Sequence, residues 1–332
     1  MNAAPSAFAQ SLGYVVMAAY QPDPTLFARQ VQSIQRQTVT QFRCIISADG
    51  GPNDVAALLH EVTGGDERFR VLGHDDRLGF YGNFERALMA VPHDAAWIAL
   101  ADQDDRWDAH KLATLLPLLA EHAVVSCQAR VVRYPSDEIV APSTLRKNSP
   151  VTAFTLDNQY TGSQMVFRRN VLDVALPFPR LNTPAQVHDH WIAVLGDFLG
   201  GSRVITEVAQ EYVQHGGNVI GEAKAGFNPL ASLRNAQNIA RKYEGSASLR
   251  AMAVVTYRVG VQWREVMMTA LRERIPSADI DELTSIYGAQ RRFGHTMRAV
   301  WGSVRRQEVS TRSAMEYTAG WVAGTIFRLR KR

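Results

Sequence analysis

Residues 97–101, Trp97-Ile98-Ala99-Leu100-Ala101, are apolar without interruption, and Asp102, Asp104 and Asp105 follow within four residues. A short apolar run bounded by polar residues reads as a strand buried on both faces, the kind found in parallel sheets. Ligands of open α/β sheets collect at the carboxyl ends of such strands, so the three aspartates fall where a ligand is expected. Carboxylates this close repel one another unless positive charge lies among them. Mg²⁺ or Mn²⁺, held by one or two carboxylates together with substrate phosphates, meets that need. The same residues also suit the acidic start of a helix over residues 109–121, with Asp108 as its cap. Spacing alone leaves both readings open.

The preceding chain alternates in period. Residues 14–19 form an apolar run, and Tyr20-Gln21-Pro22-Asp23-Pro24 breaks it. Leu26, Phe27, Val31 and Ile34 recur at helical spacing, with Pro24 suited to a first helical turn. Residues 42–48 make a second strand. Strand, helix, strand predicts a parallel sheet with a right-handed crossover. No Gly-x-Gly-x-x-Gly follows the first strand, so a dinucleotide site is disfavoured. Asp49, Gly50 and Gly51 end the second strand, where glycines allow backbone close to a ligand. Asn53 or Asp54 is expected to cap the next helix. Residues 69–73 and 124–132 read as further strands. Residues 134–160 lack clear periodicity, and loops of that length in compact domains are often functional.

The chain has 332 residues, 46% of them hydrophobic, enough for one large domain with an appendage. Cys44 and Cys127 sit in apolar runs and read as core thiols, which points away from a disulfide framework and toward the cytoplasm. The first twelve residues lack the basic and apolar regions of a signal peptide, and no apolar window reaches spanning length. Charge is divided unevenly. Residues 1–220 hold 17 Lys/Arg against 23 Asp/Glu, a balance of −6; residues 221–332 hold 19 against 9, a balance of +10. We therefore expect a domain over 1–221 and a basic helical region over 222–332, helical from its apolar spacing. Its excess of arginine suits an anionic surface. The last segment, from Tyr317 to Arg332, mixes aromatic, apolar and basic residues and suits a helix lying in a bilayer interface. A nucleic-acid partner is not expected, because the region carries no recognisable binding motif.

Segments along the chain carry a family resemblance. Leu100 to Leu112, LADQDDRWDAHKL, resembles the acidic motif of family 2 glycosyltransferases of the GT-A fold, most closely the rhamnosyltransferase-like branch. Arg77-Leu78-Gly79-Phe80-Tyr81-Gly82-Asn83-Phe84 is similar to the family's Gly-x-x-x-Asn-Phe segment. His188-Asp189-His190-Trp191 resembles its His-Asp-Trp-Trp. Tyr212 to Gly221 resembles Tyr-Arg-x-His-x-x-Asn-x-x-Gly, with Val213 in place of the arginine.

The resemblance implies an α/β GT-A fold, mostly parallel, over about residues 14–221. It implies an inverting, metal-dependent transfer from a nucleotide-sugar to a hydroxyl of a glycan or lipid-linked glycan. Asp104 would be the primary ligand of Mg²⁺ or Mn²⁺, with His215 near the metal or diphosphate. Ala19, Tyr20, Asp49, Arg77, Asn83, Asp102 and Gln103 would contact the donor, and Asn83 would cap its helix. Asp105, Gly162, His190 and Trp191 would face the donor sugar or acceptor. Asp189 would be the general base, since inverting transfer needs a carboxylate to take the acceptor's proton. Two other classes compete: a nucleotidyltransferase, which would need a basic phosphate-binding loop that residues 20–24 lack, and a non-catalytic membrane-associated binding or scaffold protein.

Overall fold

Strand β1 (Gly13–Ala19) and strand β2 (Phe42–Asp49) lie parallel, with Val15 opposite Cys44 and Ala19 opposite Ala48. The helix Pro24–Gln35 joins them. Its first turn is fixed by Asp23, whose Oδ1 accepts from the amides of Thr25 and Leu26 at 2.9 and 3.0 Å; such a cap is worth about 1 kcal/mol. Phe27, Val31 and Ile34, spaced for one helical face, bury against Val15, Met17, Cys44 and Ile46. The other face of β1 and β2 is covered by the helix Gly79–Met89.

Strand β3 (Phe69–His74) adds outside β2, and strand β4 (Trp97–Ala101) adds inside β1, both parallel. Strand β4 is buried along its whole length, as its apolar run requires. Beyond it the order continues through β8 (Met165–Arg168), β6 (Val124–Arg133), β9 (Ser202–Gln214) and β5 (Arg106–Trp107), with β7 (Glu138–Ala141) paired to β6. Strands β8, β5 and β7 run antiparallel to their neighbours, while β6 and β9 run parallel to each other. Among the described residues six strands thus share one direction. The carboxyl ends of β1, β2, β4 and β9 fall on one edge of the sheet. Ala19, Asp49, Asp102 and His215 arrive there from four separate parts of the chain.

The structure describes residues 7–181, 183, 185–215, 229–275 and 279–329. It divides into two units. The first comprises Met1–Asn148, Gln159–Phe178 and His188–Ile220 and contains the sheet. The second comprises Ser149–Asn158, Pro179–Val187 and Gly221–Arg332. The expected boundary at 221 thus has two short earlier segments beyond it. Ser149–Asn158 groups with the helical unit through polar contacts. The Arg264 guanidinium donates to the carbonyls of Thr155 and Leu156, Tyr287 Oη donates to Thr152 O, and the Asp157 carboxylate accepts from the Ser310 amide.

The helical unit is built from Pro229–Glu244, Leu249–Tyr257, Trp263–Arg274, Asp279–Tyr287, Phe293–Arg305 and Thr311–Ile326. A π-helical turn, Arg258–Gln262, joins the second and third. There Gly260 meets the last helix so closely that a Cβ would stand 2.7 Å from Glu316 O and 3.4 Å from the Gly320 Cα. Among the described residues no helix is long and apolar enough to cross a membrane.

Several local expectations change. The expected helix over 109–121 is a short helix, Lys111–Leu115, continued by a 3₁₀ turn. Asp108 does not cap it with its side chain; its carbonyl accepts from the Lys111 amide. Asn53 and Asp54 lie inside the helix Pro52–Thr63, which starts at Gly51 in the left-handed region at φ 62°. Residues 134–160 contain β7 and a one-turn helix, Val151–Phe154.

Candidate active site

The acidic motif leaves β4 and divides by burial. The side chain of Asp104 is 18% exposed, and its Oδ2 lies 2.7 Å from Nε2 of His215, 19% exposed, which immediately follows β9. Asp102 is half-buried. Burial, then the neighbouring Asp104 carboxylate, push it up to about 7, against a hydrogen bond with Ser163; Asp189 adds to the rise. Asp105 is fully buried, and burial, then Asp102 and Asp104, hold its carboxyl well above the usual range. Its Oδ1 accepts from the Val213 amide at 3.2 Å and its Oδ2 from Gln210 Nε2 at 3.1 Å. Asp105 is the residue expected at the donor sugar or acceptor. In the structure it ties the acidic motif to β9 through Gln210 and the Val213 amide.

Lys111 supplies the positive charge that the carboxylates need. It has no exposure at all, and its ammonium donates to Ser163 O and, at 2.6 Å, to Gln210 Oε1. It also lies 3.7 Å from the centre of the Trp107 ring. Burial lowers it to about 8, while Cys127, Asp105 and Asp102 pull it upward. Residue type and position in the motif assign this lysine no role. A lysine one residue before a leucine on an otherwise apolar turn was the available signal.

Gln103 closes the front of β1. Its amide accepts from the Tyr20 amide at 2.7 Å and donates to the Tyr20 carbonyl at 3.1 Å. Above this clamp the exposed Arg77 guanidinium stacks on the Tyr20 ring at 3.8 Å. Two of the expected donor contacts thus form one open flat surface. Two others, Asp49 and Asn83, are buried. Asp49 is 2% exposed, and its carboxylate accepts from the amides of Leu78 and Gly79 at 2.7 and 2.8 Å and pairs with Arg86. It holds the start of the helix Gly79–Met89, because those helix-end amides need an acceptor. Asn83 is likewise buried inside that helix and does not cap it. Its amide donates to Ser47 O and accepts from Ser47 Oγ and Arg86, and Ala19 O lies at 3.5 Å. Asn83 supports the ends of β1 and β2 from beneath.

Asp189 occupies the first turn of the helix His188–Phe198. Its Oδ2 accepts from the Gly162 amide at 3.1 Å and its Oδ1 from the His190 amide. Gly162 allows this approach because a Cβ there would stand 2.6 Å from His188 Nε2. The His188 ring stacks on Phe84 at 4.1 Å, and neither of its nitrogens has a hydrogen-bond partner among the described residues. Burial alone pushes it down to about 3, so the ring is neutral at ordinary pH. His190 and Trp191, expected as an acceptor wall, are buried. Trp191 has no exposure and donates from Nε1 to Ala175 O at 3.0 Å. The apolar face of the helix turns inward and takes both rings with it. Residues 216–221 of the fourth segment lie outside the described residues.

Among the described residues no three His, Cys, Asp or Glu side chains form a ready-made metal site. The donor set still fits an open one. A carboxylate and an imidazole face each other at partly exposed positions, and Mg²⁺ or Mn²⁺ commonly takes one or two protein ligands with the rest from substrate phosphate and water.

The sheet order and the clustering at its carboxyl edge define an α/β protein of the GT-A-like class. The chain shares its fold with a crystallised fragment of TarS from S. aureus, residues 1–349 in complex with UDP-GlcNAc, at a TM-score of 0.50 and 12% identity, covering 96% of this chain and 92% of that one. A mannosyltransferase, PcManGT from Pyrobaculum calidifontis, in complex with GDP-Man and Mn²⁺, aligns at a TM-score of 0.46 and 14% identity over 96% and 87% of the two chains. Residues 14–174 match the family Glycosyl transferase family 2. Asp189 and His215 lie beyond the matched residues. In sequence the chain is 24% identical over 131 residues to an uncharacterized protein, y4gI, of Sinorhizobium fredii (strain NBRC 101917 / NGR234). That match spans 39% of this chain and 14% of the relative's length.

Proposed function

We propose that the protein is an inverting glycosyltransferase, moving a hexosyl or deoxyhexosyl group from a nucleotide-sugar to a hydroxyl of a glycan or lipid-linked glycan in the building of a cell-surface polysaccharide. The observation that carries this reading is the pairing of Asp104 with His215 at the same sheet edge that receives Asp102, with Asp189 close enough to act on Asp102. The deoxyhexosyl alternative rests on the likeness of the acidic motif to the rhamnosyltransferase-like branch.

Asp104 and His215 would hold Mg²⁺ or Mn²⁺, which when bound offsets the charge of the leaving diphosphate. Tyr20 and Arg77 offer an aromatic and cationic surface to the nucleotide. Gln103 keeps that surface in register with the acidic motif. The Gly162 amide holds the Asp189 carboxylate in place. Asp189 takes the acceptor hydroxyl proton as its oxygen bonds to the anomeric carbon and the bond to the diphosphate breaks. The basic region from residue 221 onward places the enzyme at an anionic membrane surface on the cytoplasmic side.

The test is sugar transfer across a panel of nucleotide-sugars with Mn²⁺, comparing wild type with Asp189→Asn. Transfer by wild type and its loss in the variant are expected. Donor binding without transfer by the wild type, across donors and acceptors, would favour a non-catalytic binding protein.

A further inference from the structure

The helices Phe293–Arg305 and Thr311–Ile326 pack together and leave a groove between them, with walls that include Trp301, Met315, Val322 and Ile326. The second helix is apolar on two faces. Ala314, Tyr317, Trp321 and Gly324 are buried within the unit. Met315, Val322 and Ile326, on another face, are 55%, 46% and 68% exposed. An apolar helix face is normally covered. Among the described residues nine large hydrophobic side chains are well exposed, and four of them, Phe293 with these three, belong to this helix pair. Exposed apolar surface gathered in one place marks an interaction site.

The rim is cationic. Arg298 and Arg305, three residues before and four after Trp301, share its helical face. Arg328 follows the end of the second helix. These three are exposed and have no ion pair among the described residues, whereas Arg306 is paired with Glu308 and Arg312 with Glu316. A second copy seated on the same face would set arginine against arginine, since a two-fold interface places a patch against itself. An anionic lipid surface answers both features. Apolar side chains reach the acyl boundary and guanidiniums meet headgroup phosphates.

We propose that this groove and its rim of Arg298, Arg305 and Arg328 are the surface by which the protein lies on a bilayer containing anionic phospholipid. This rests on the reading that the basic region faces an anionic membrane, and it changes which residues do so. Trp321, expected in the interface, is packed inside against Arg291 and Phe293.

The experiment is flotation of the full chain with vesicles of phosphatidylcholine alone or mixed with phosphatidylglycerol. Wild type is expected to float only with the mixed vesicles, less so as salt rises. Met315→Ser with Val322→Ser and Ile326→Ser should lose more than about tenfold in partitioning, with melting temperature and nucleotide-sugar binding unchanged. Should that variant fold poorly, Arg298→Gln with Arg305→Gln touches only exposed heads and should also weaken binding about tenfold or more at low salt. Variants that float like wild type would overturn the groove while leaving membrane binding elsewhere on the chain. Wild type that never floats would overturn both readings. A wild-type dimer that becomes monomeric in the serine variant would overturn the lipid assignment in favour of a second copy.

Discussion

Nε2 of His215 lies 2.7 Å from Oδ2 of Asp104, across 111 residues of chain. Neither side chain is buried, so the contact joins two groups that remain open to a ligand. If these two hold a divalent cation, nucleoside diphosphate should stabilise the protein when Mn²⁺ is present and not in EDTA. At a hundredfold excess over the dissociation constant the gain is about 2.7 kcal/mol. Asp104→Ala should abolish it and His215→Ala should reduce it, read as melting temperature. Equal stabilisation in EDTA would remove the metal from the proposal.

Asp189→Asn keeps the carboxamide within reach of the Gly162 and His190 amides but cannot take a proton. Donor affinity should stay near wild type while transfer falls by about 10²–10⁴-fold. A simple loss of helix capping would lower stability and spare turnover of the folded fraction. Wild-type transfer rates in this variant would place the base elsewhere.

Lys111 and Gln210 form a buried cross-tie between the acidic motif and β9. Lys111→Met leaves the Ser163 carbonyl, Gln210 and the Asp105 carboxyl without their cationic neighbour. We expect a loss of about 3 kcal/mol in urea unfolding. Gln210→Leu should also destabilise, and the double variant should cost less than the sum of the two, because both remove one shared network. Additive losses would mean that the two side chains act separately.

His188 stays neutral when folded, held down to about 3 by burial from an ordinary 6.5. Between those values only the unfolded chain binds its proton. Acidification from about 6.5 downward therefore favours unfolding through this group, by up to about 1.4 kcal/mol per pH unit, until the folded ring also protonates. Asp102, raised to about 7, opposes this, because there the folded chain holds the extra proton. The comparison must therefore be between wild type and His188→Phe, which keeps a ring against Phe84. The stability difference between the two should shift in favour of the variant as pH falls from 6.5 to 4. A difference independent of pH would show that the ring is protonated, or solvated, in the folded state.

Much of the sheet was legible because strand and helix signals are local. The run from Trp97 to Ala101 is apolar on both faces, and it is a central strand. The strands ending at Ala19 and Asp49 came from the same reasoning, and so did the two core thiols. The helix expected from 109 starts at Lys111, because Asp108, an apt cap by residue type, is used through its carbonyl.

The sequence by itself determined that acidic and polar side chains would gather at the carboxyl ends of strands, since side-chain period and strand direction follow from local pattern. Only the tertiary structure decided which of them stay open. Asp49 and Asp105 match Asp104 in type, yet helix-end amides bind the first, and Gln210 with the Val213 amide bind the second. Their partners lie 29 to 108 residues away. Burial and hydrogen bonding at such separations depend on how the layers close, which no local pattern records.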